Sequence, residues 1–220
     1  MTCSSEQTVI REGSILKTGY GTLEVQSFLG KGKSGYSWLV QAPECKAVLK
    51  IMHDEEVSYY SFSGSKLAAE IMSYRKLMDT GIKMPGLYFY DEQNGLLIKE
   101  YIDGETGSRI IAEGKADEDI LKSLCSMYLK VKSTGLNIDY FPSNFVISRR
   151  ELYYIDYECN PYDYEWGLEN WGLYYWVNTE GMKRFLAEGD SSSINMPGTG
   201  QPLKSGLSDK VSEAINKFLK

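Results

Sequence analysis

The stretch DYFPSNFVISRRELYYID, residues Asp139–Asp156, places three polar residues around a turn and two short apolar runs. An Asp begins it, Asn144 follows five residues later, and a second Asp ends it. The runs Phe145–Ser148 and Leu152–Ile155 predict a small β-hairpin, because they are rich in β-branched and aromatic residues and are separated by polar ones. Each of the three polar residues alone would be expected to cap a turn or end a strand. As a set, they are oxygen and amide groups that can meet a metal ion and phosphate.

The composition is that of an ordinary globular protein. Of 220 residues, 42% are hydrophobic and 25% are charged, which suits one large domain or two closely packed lobes. The formal net charge is −6, and no dense run of Lys and Arg occurs. Since phosphate backbones are bound by clustered cations, we expect no nucleic-acid partner.

Cysteine spacing and hydropathy indicate the cellular compartment in which the protein is expected. The four cysteines are far apart and form no Cys-x-x-Cys pair, which favours free thiols in a reducing compartment. No segment approaches about 18 consecutive apolar residues, and the first residues lack the apolar core of a signal peptide. We therefore expect a cytoplasmic protein with no membrane partner.

Upstream of the Asp139–Asp156 stretch, the pattern changes from strands to one helix and back to strands. Helical periodicity begins near Ser65 and should end at Gly81. Strands are predicted over Thr22–Gly30, Tyr36–Ala42, Ala47–Met52, Gly86–Tyr90 and Leu96–Tyr101, with a further short one around Val9–Leu16. The first hundred residues therefore follow the order β-β-β-α-β-β.

The rest of the chain is predicted to be mostly helical after a linker. Turn-forming and polar residues make Asp103–Gly107 the linker. Helices are predicted around Ile120–Val131 with acidic residues at its start, over Glu169–Ala187, and over Leu207–Leu219 with Ser208 as its N-cap.

A glycine-rich segment lies between the first two predicted strands. Gly30, Gly32 and Gly35 form the pattern Gly-x-Gly-x-x-Gly. A strand follows it, whereas a Rossmann site would need a helix there. Such a hairpin can place backbone N–H groups over phosphates. The alternative, a flexible glycine-rich turn, is equally consistent with this segment by itself.

Two charged residues occupy apolar faces of consecutive elements. Lys50 shares a strand face with Val48 and Met52, where an unpaired ammonium group would be poorly solvated. Glu70 lies on the apolar stripe of the next helix. The two could meet as an ion pair that holds Lys50 against a phosphate. Alternatively, each reaches water through its long stem.

The order of these features resembles that of the protein-kinase-like superfamily over roughly residues 22–176. A glycine loop, a strand Lys, a helix Glu, a linker, Asp-x-x-x-x-Asn and a hairpin Asp follow one another. The resemblance implies an α+β, two-lobed fold. Residues 1–102 would form an N-lobe of antiparallel sheet and one helix, and residues 103–220 a small, mostly helical C-lobe.

The resemblance also implies a role for each motif residue, with ATP and Mg²⁺ as cofactors. Carried over motif by motif, the glycines would cover the nucleotide, Lys50 would bind phosphate with Glu70 as its partner, and Lys99–Ile102 would be the adenine hinge, with Glu100 and Ile102 as contacts. In the Asp139–Asp156 stretch, Asp139 would be the catalytic base, and Asn144 and Asp156 the metal ligands.

Several positions depart from the pattern of protein kinases. Asn137 and Ile138 precede the loop Asp where the family usually has His and then Arg or Gly. Phe141 stands where protein Ser/Thr kinases typically carry Lys, and Tyr157-Glu158 follows the hairpin Asp in place of Phe-Gly. No Ala-Pro-Glu follows, so there is little room for an activation segment. The only histidine, His53, lies elsewhere and is expected at the surface.

These departures make the chain similar to choline/ethanolamine kinases and, more loosely, to aminoglycoside phosphotransferases. Compact atypical bacterial protein kinases are a further resemblance. The resemblance implies a phosphotransferase that moves the γ-phosphate of ATP to a hydroxyl acceptor, with a small metabolite favoured over a protein. The alternatives are an atypical protein Ser/Thr kinase and a non-catalytic nucleotide-binding pseudokinase or scaffold.

The segment after Asp156 is rich in aromatic residues, and two explanations remain open for it. The rings could form a cage that holds a quaternary ammonium group by cation–π contact. They could instead pack the core of the C-terminal part. The residues concerned are Tyr157, Tyr162, Tyr164, Trp166, Trp171, Tyr174, Tyr175 and Trp176.

Overall fold

A computed structural model of the chain describes residues 10–53, 55 and 65–220. Internal contacts divide the chain into two compact units. The sheet unit comprises the described residues of Met1–Ala69 together with Pro85–Tyr101, and the helical unit comprises Glu70–Met84 together with Ile102–Lys220. The predicted lobe boundary between residues 102 and 103 stays a prediction.

The sheet unit is one antiparallel sheet of six strands. These are β1 (Ile15–Thr18), β2 (Gly21–Lys31), β3 (Gly35–Gln41), β4 (Lys46–Met52), β5 (Leu87–Asp91) and β6 (Leu96–Glu100), in the order β1-β2-β3-β4-β6-β5. Five of them agree with the predicted strands to within a residue or so at either end. The strand predicted around Val9–Leu16 is shifted to β1, and Val9 itself lies outside the described residues.

Alternation along the strands puts an apolar core on one face of this sheet. Successive side chains of a strand point to opposite faces, so every second residue can be buried together. The buried cluster draws on four strands and one loop and consists of Leu23, Val25, Val40, Ala42, Ala47, Leu49 and Ile98. The other face of β4 carries Val48 and Lys50.

Helix α1 (Lys66–Met78) contains the point where the two units divide. The Ser65 hydroxyl accepts a hydrogen bond from the Ala68 N–H at 3.2 Å, as an N-cap does. Gly81 has a φ of +66°, which ends the helical path after the turn that follows the helix. The predicted start and end of this helix are therefore close to the observed ones.

The helical unit contains five more helices and three short pairings of strands. In chain order they are β7 (Glu105–Thr106), α2 (Gly107–Ala112), α3 (Glu118–Ser133), β8 (Leu136–Asn137), β9 (Phe145–Ser148), β10 (Glu151–Tyr154), β11 (Asn160–Pro161), α4 (Leu173–Trp176), α5 (Thr179–Glu188) and α6 (Ser208–Phe218). Strands β9 and β10 form the predicted hairpin, β7 adds to β9, and β8 pairs with β11. The predicted α+β class is thus confirmed.

Three local predictions were wrong. The predicted linker Asp103–Gly107 contains β7 and the start of α2. The single helix over Glu169–Ala187 is interrupted after α4, because the side chain of Asn178 accepts the Gly181 N–H at 2.9 Å and starts a new helix there. Ser208 does not cap α6; Leu207 occupies the cap, and no side chain makes the capping bond.

Helix α3 anchors the core of the helical unit. Its cap, Asp117, accepts the Ile120 N–H at 3.0 Å, so the acidic start predicted from the sequence is used. Leu124, Met127 and Val131 are buried along one face, as their helical spacing predicts. No helix in the described part of the chain is long and apolar enough to cross a membrane.

Candidate functional site

The two ends of the loop Asp139–Asn144 are tied to one another by hydrogen bonds. The Phe141 N–H donates to Asp139 Oδ1 at 2.9 Å, and the Asn144 Nδ2 donates to the backbone carbonyl of Asp139 at 3.3 Å. A single 3-10 turn at Pro142–Asn144 shortens the path between them. We call this segment the Asp-Asn loop. It holds both its polar side chains in fixed positions.

The hairpin brings Asp156 back to the Asp-Asn loop. The Ile155 N–H donates to the backbone carbonyl of Asn144 at 2.8 Å, directly after β10. Oδ1 of Asp156 accepts the N–H of the next residue, Tyr157, at 3.0 Å, which fixes the carboxylate. Residues 139, 144 and 156 are therefore brought together in the helical unit, as the sequence predicts.

A buried tyrosine, Tyr154, lies near the carboxylates of Asp139 and Asp156. Tyr154 is fully buried, and its hydroxyl donates to the carbonyl of Glu158 at 2.9 Å. Burial raises the pKa of this hydroxyl well above its usual value, and the negative charges of Asp156 and Asp139 raise it further. The sequence analysis missed Tyr154; its place on the inward face of a hairpin strand is the only local signal.

Residues that are distant from the Asp-Asn loop in sequence support it by hydrogen bonds and close packing. The indole N–H of Trp176 donates to the Tyr140 carbonyl at 2.9 Å, and the hydroxyls of Ser108 and Ser143 are hydrogen bonded at 2.8 Å. A Cβ on Gly107 would lie 2.7 Å from the Pro142 carbonyl oxygen, so only glycine lets α2 come this close. These supports were not predicted, because no local pattern signals them.

Two of the departures from the kinase pattern, Asn137 and Phe141, have defined positions. Asn137 lies on β8, and its Nδ2 donates to the Trp166 carbonyl at 2.9 Å. The ring of Phe141 packs edge-on against Tyr175, with centroids 5.1 Å apart, and also contacts Phe185. The resemblance leads one to expect a lysine at position 141. The helical unit has a phenylalanine there, and its ring packs against other rings.

The aromatic-rich segment after Asp156 contributes mainly to the core. Tyr157, Trp171, Tyr175 and Trp176 are buried, each at most 9% exposed, so core packing explains these four rings. The rings of Tyr164 and Trp166 are exposed. The cage explanation does not apply to the buried rings, since they are packed against other side chains.

In the sheet unit, the last glycine of the glycine loop (Gly30–Gly35) lies beside Lys50. Gly35 pairs with Met52 on β4, two residues from Lys50. A Cβ on Gly35 would lie 2.5 Å from the carbonyl oxygen of Ile51 and 3.3 Å from Cγ of Lys50. A Cβ on Gly30 would meet nothing within 4 Å. Close packing therefore requires glycine at position 35 and not at position 30.

His53 and Glu55 hold the glycine loop, which the sequence analysis did not predict. His53 is half-buried, and its Nε2 donates to the Gly32 carbonyl at 3.1 Å. Its backbone N–H donates to the Ser34 carbonyl at 3.1 Å. Glu55 forms an ion pair with Lys31 on the near strand. His53 and Glu55 thus bind residues of the glycine loop.

The remaining predicted residues lie in both units. The N–H of Glu100 donates to the Gly86 carbonyl at 2.8 Å, and its carboxylate accepts the Gly86 N–H at 3.0 Å. Ile102, which follows β6 along the chain, is half-buried. Lys50 and Glu70 are each 7% exposed, and both interact with other groups. Their predicted ion pair stays a prediction.

The donor set of the Asp-Asn loop and hairpin fits a hard cation. Because Asn144 uses its Nδ2 in the bond to Asp139, its amide oxygen points away from that bond. This oxygen and the carboxylate of Asp156 are the kind of ligand that Mg²⁺ takes, together with water and phosphate. Within the described residues, no three His, Cys, Asp or Glu side chains converge as a metal site.

Comparison with known proteins gives the fold of the chain. No protein-family model and no curated protein sequence matches it. The solved kinase domain of BubR1 is 17% identical, with a TM-score of 0.53, and the match covers 96% of this chain and 77% of that one. At this identity the likeness concerns the fold, and it shows that the chain has a protein-kinase-like fold.

Two further solved structures match over a shorter length. They are a mutant form of the kinase domain of Mycobacterium tuberculosis PknI and the apo form of PpkA-294, each 16% identical, with TM-scores of 0.42 and 0.49. Each match covers 68% of this chain. The chain spans 62% and 61% of those two chains, respectively.

Proposed function

We propose that the protein is an ATP- and Mg²⁺-dependent phosphotransferase that moves the γ-phosphate to a hydroxyl group of a small metabolite. The observation that carries this proposal is that Asp139, Asn144 and Asp156 lie close together in the helical unit. A hydrogen bond of 3.3 Å joins Asn144 to Asp139, and one of 2.8 Å joins Asn144 to Ile155 at the end of the hairpin. The protein-kinase-like fold supports the same reaction class.

Each residue of the set has a role that follows from its chemistry. Asp139 accepts the proton of the acceptor hydroxyl, whose oxygen then forms the bond to phosphorus while the bond to the nucleoside diphosphate breaks. Asn144 and Asp156 hold Mg²⁺, which when bound neutralises phosphate charge. The backbone bonds that fix all three side chains keep them positioned before the acceptor arrives.

The sheet unit would bind the nucleotide in this proposal. Lys50 is a buried cation beside Gly35, and the glycine loop next to it offers backbone N–H groups to phosphate. His53 limits the movement of this loop through its bonds to Gly32 and Ser34. The base would lie toward Glu100 and Ile102. The pairing of Lys50 with Glu70 belongs to the same proposal.

A small metabolite is favoured over a protein acceptor because of Phe141. At its position the resemblance leads one to expect a lysine close to the transferred phosphate, whereas Phe141 packs on Tyr175 and Phe185. Asn137, which replaces a histidine, bonds to the Trp166 carbonyl. The reaction centre would therefore be built without the cation and the histidine of typical protein kinases.

Transfer of labelled phosphate tests this proposal. The protein is incubated with γ-labelled ATP and Mg²⁺, and separately with pools of hydroxylated metabolites and of proteins. Label in a metabolite, lost when Asp139 is changed to Asn, is the expected result. Label only in protein Ser or Thr would replace the metabolite version by an atypical protein kinase. Nucleotide binding without any transfer would leave a non-catalytic nucleotide-binding protein.

A further inference from the structure

A second lysine is buried in the sheet unit, at the start of the segment predicted to bind the base. Lys99, on β6, is 7% exposed, the same exposure as Lys50. Buried lysines are rare and are retained with partners, and Lys99 does interact with other groups. A hydrophobic side chain would fill this strand position at lower cost. The three N–H donors of this ammonium group therefore lie at the start of the predicted base-binding segment.

Strand register places Lys99 on the same face as Lys50. Residues opposite each other in an antiparallel pair point to the same face, and Lys99 is opposite Val48. Val48 and Lys50 are two residues apart on β4 and share a face. The two lysines are thus diagonal neighbours, on the face opposite the apolar core that contains Leu49 and Ile98.

The register also gives the order of groups along this face. At one end Gly35 of the glycine loop pairs with Met52, and at the other end Glu100 pairs with Ala47. Lys50 is near the glycine end. Lys99 lies opposite Val48. Val48 is two residues, or about 6.8 Å, from Lys50 in the direction of the Glu100 end. A nucleotide with its phosphates at Lys50 and its base near Glu100 would present its base to Lys99.

We propose that Lys99 selects the base and favours 6-oxopurine nucleotides such as GTP over ATP. This inference rests on the proposed function. An ammonium group only donates hydrogen bonds. Guanine offers it two acceptors, O6 and N7, whereas adenine offers N7 beside an amino group that also donates. ATP remains a phosphate donor, but at lower affinity than GTP.

Binding measurements with three nucleotides test the inference on the unmodified protein. ATP, GTP and ITP are titrated with Mg²⁺ by calorimetry, because ITP keeps O6 and N7 and lacks the 2-amino group of guanine. GTP and ITP are both expected to bind roughly tenfold more tightly than ATP. Equal affinities for all three would overturn the inference. Tight binding of GTP alone would also overturn it, since the 2-amino group would then be the group recognised.

Two variants show whether Lys99 is the cause. Lys99→Met keeps the length of the side chain and removes its donors, so the preference for GTP and ITP over ATP should fall to less than twofold. The control is Lys46→Met, at an exposed position on β4, which should leave the preference unchanged. Equal weakening of ATP and GTP by Lys99→Met would assign Lys99 to phosphate binding and overturn the base-selection role.

The design separates this inference from the proposed function. If no nucleotide binds the unmodified protein, the proposed function fails, and the inference fails with it. If nucleotides bind and support transfer but the affinity ratio does not depend on Lys99, only the inference fails. Should Lys99→Met not fold, Lys99→Leu, which also lacks donors, is used, and the ITP-to-ATP ratio of the unmodified protein still decides.

Discussion

The side-chain amide of Asn144 donates to the backbone carbonyl of Asp139 across 3.3 Å. The backbone carbonyl of Asn144 in turn accepts the N–H of Ile155, the residue before Asp156. Asn144 thus connects the start of its loop to the end of the hairpin with two hydrogen bonds. Asn144 therefore helps to set the distances between Asp139, Asn144 and Asp156. Substitutions in and around this set should allow effects on stability to be separated from effects on phosphate transfer.

Replacing Asp139 by Asn should abolish transfer and leave the fold intact. An asparagine oxygen can still accept the Phe141 N–H, but an amide cannot accept the proton of the acceptor hydroxyl. We expect the turnover number to fall by about 10²–10⁴ and nucleotide affinity to change little. Asp209→Asn, at an exposed position in α6, is the control and should keep full turnover. Undiminished transfer by the Asp139 variant would remove the base role.

Two glycines of the glycine loop, Gly30 and Gly35, should respond differently to alanine. In Gly35→Ala the new Cβ would meet the carbonyl oxygen of Ile51 at 2.5 Å, and backbone must shift to relieve it. We expect a loss of about 1–3 kcal/mol in unfolding free energy, measured by urea denaturation. Gly30→Ala meets nothing within 4 Å and should leave stability unchanged. Equal stability of both variants would contradict the packing at position 35.

Removing one buried hydroxyl should destabilise the helical unit. Tyr154→Phe leaves the Glu158 carbonyl without its 2.9 Å hydrogen bond. We expect a cost of about 1–2 kcal/mol in unfolding free energy, because a buried acceptor would lose its donor. Tyr153→Phe, which removes a hydroxyl bonded to the exposed carboxylate of Glu151, is the matched control and should cost less than about 0.5 kcal/mol.

Cys125 should resist alkylation in the folded protein. Burial raises the pKa of its thiol from 9.0 to about 12. At pH 9 the folded protein therefore holds roughly a hundredfold to a thousandfold less thiolate at Cys125 than the unfolded chain. Iodoacetamide labelling, located by mass spectrometry, should spare Cys125 until urea unfolds the protein. Rapid labelling of the folded protein would mean that the thiol is accessible.

The same raised pKa has a consequence for stability at high pH. Below pH 9 the thiol is neutral in both states. Between pH 9 and about 12 the folded protein keeps the proton that the unfolded chain releases, so the contribution of Cys125 to stability falls as the pH rises. Urea midpoints should therefore decrease across this range, and part of that decrease should be absent in Cys125→Ala.

The sequence by itself determined the order of the sheet strands and of helix α1, and the positions of the polar groups along the chain. Alternating apolar residues gave the strands of the sheet, because a strand with one buried face must alternate. Short apolar runs around polar residues gave the β9–β10 hairpin. The order of the motifs, and the resemblance that it carries, predicted that Asp139, Asn144 and Asp156 form a single set of groups. All of these signals are local, so they can be recognised before the chain is folded.

Only the tertiary structure decided what holds those groups in place. Trp176 bonds to the Tyr140 carbonyl from 36 residues further along the chain, and His53 bonds to the Gly32 carbonyl from 21 residues further along. Gly107 allows α2 to approach the Asp-Asn loop. Such contacts join residues that no periodicity relates, since they depend on where whole elements pack.

The interruption after α4 and the place of Lys99 illustrate the same limit. Helical spacing runs on through Asn178, yet its side chain caps a new helix, because a cap depends on the local backbone path that packing selects. Lys99 is one charged residue in an apolar strand, and the sequence shows no more than that. Lys99 is a diagonal neighbour of Lys50 because β4 pairs with β6, and only the folded sheet determines that pairing.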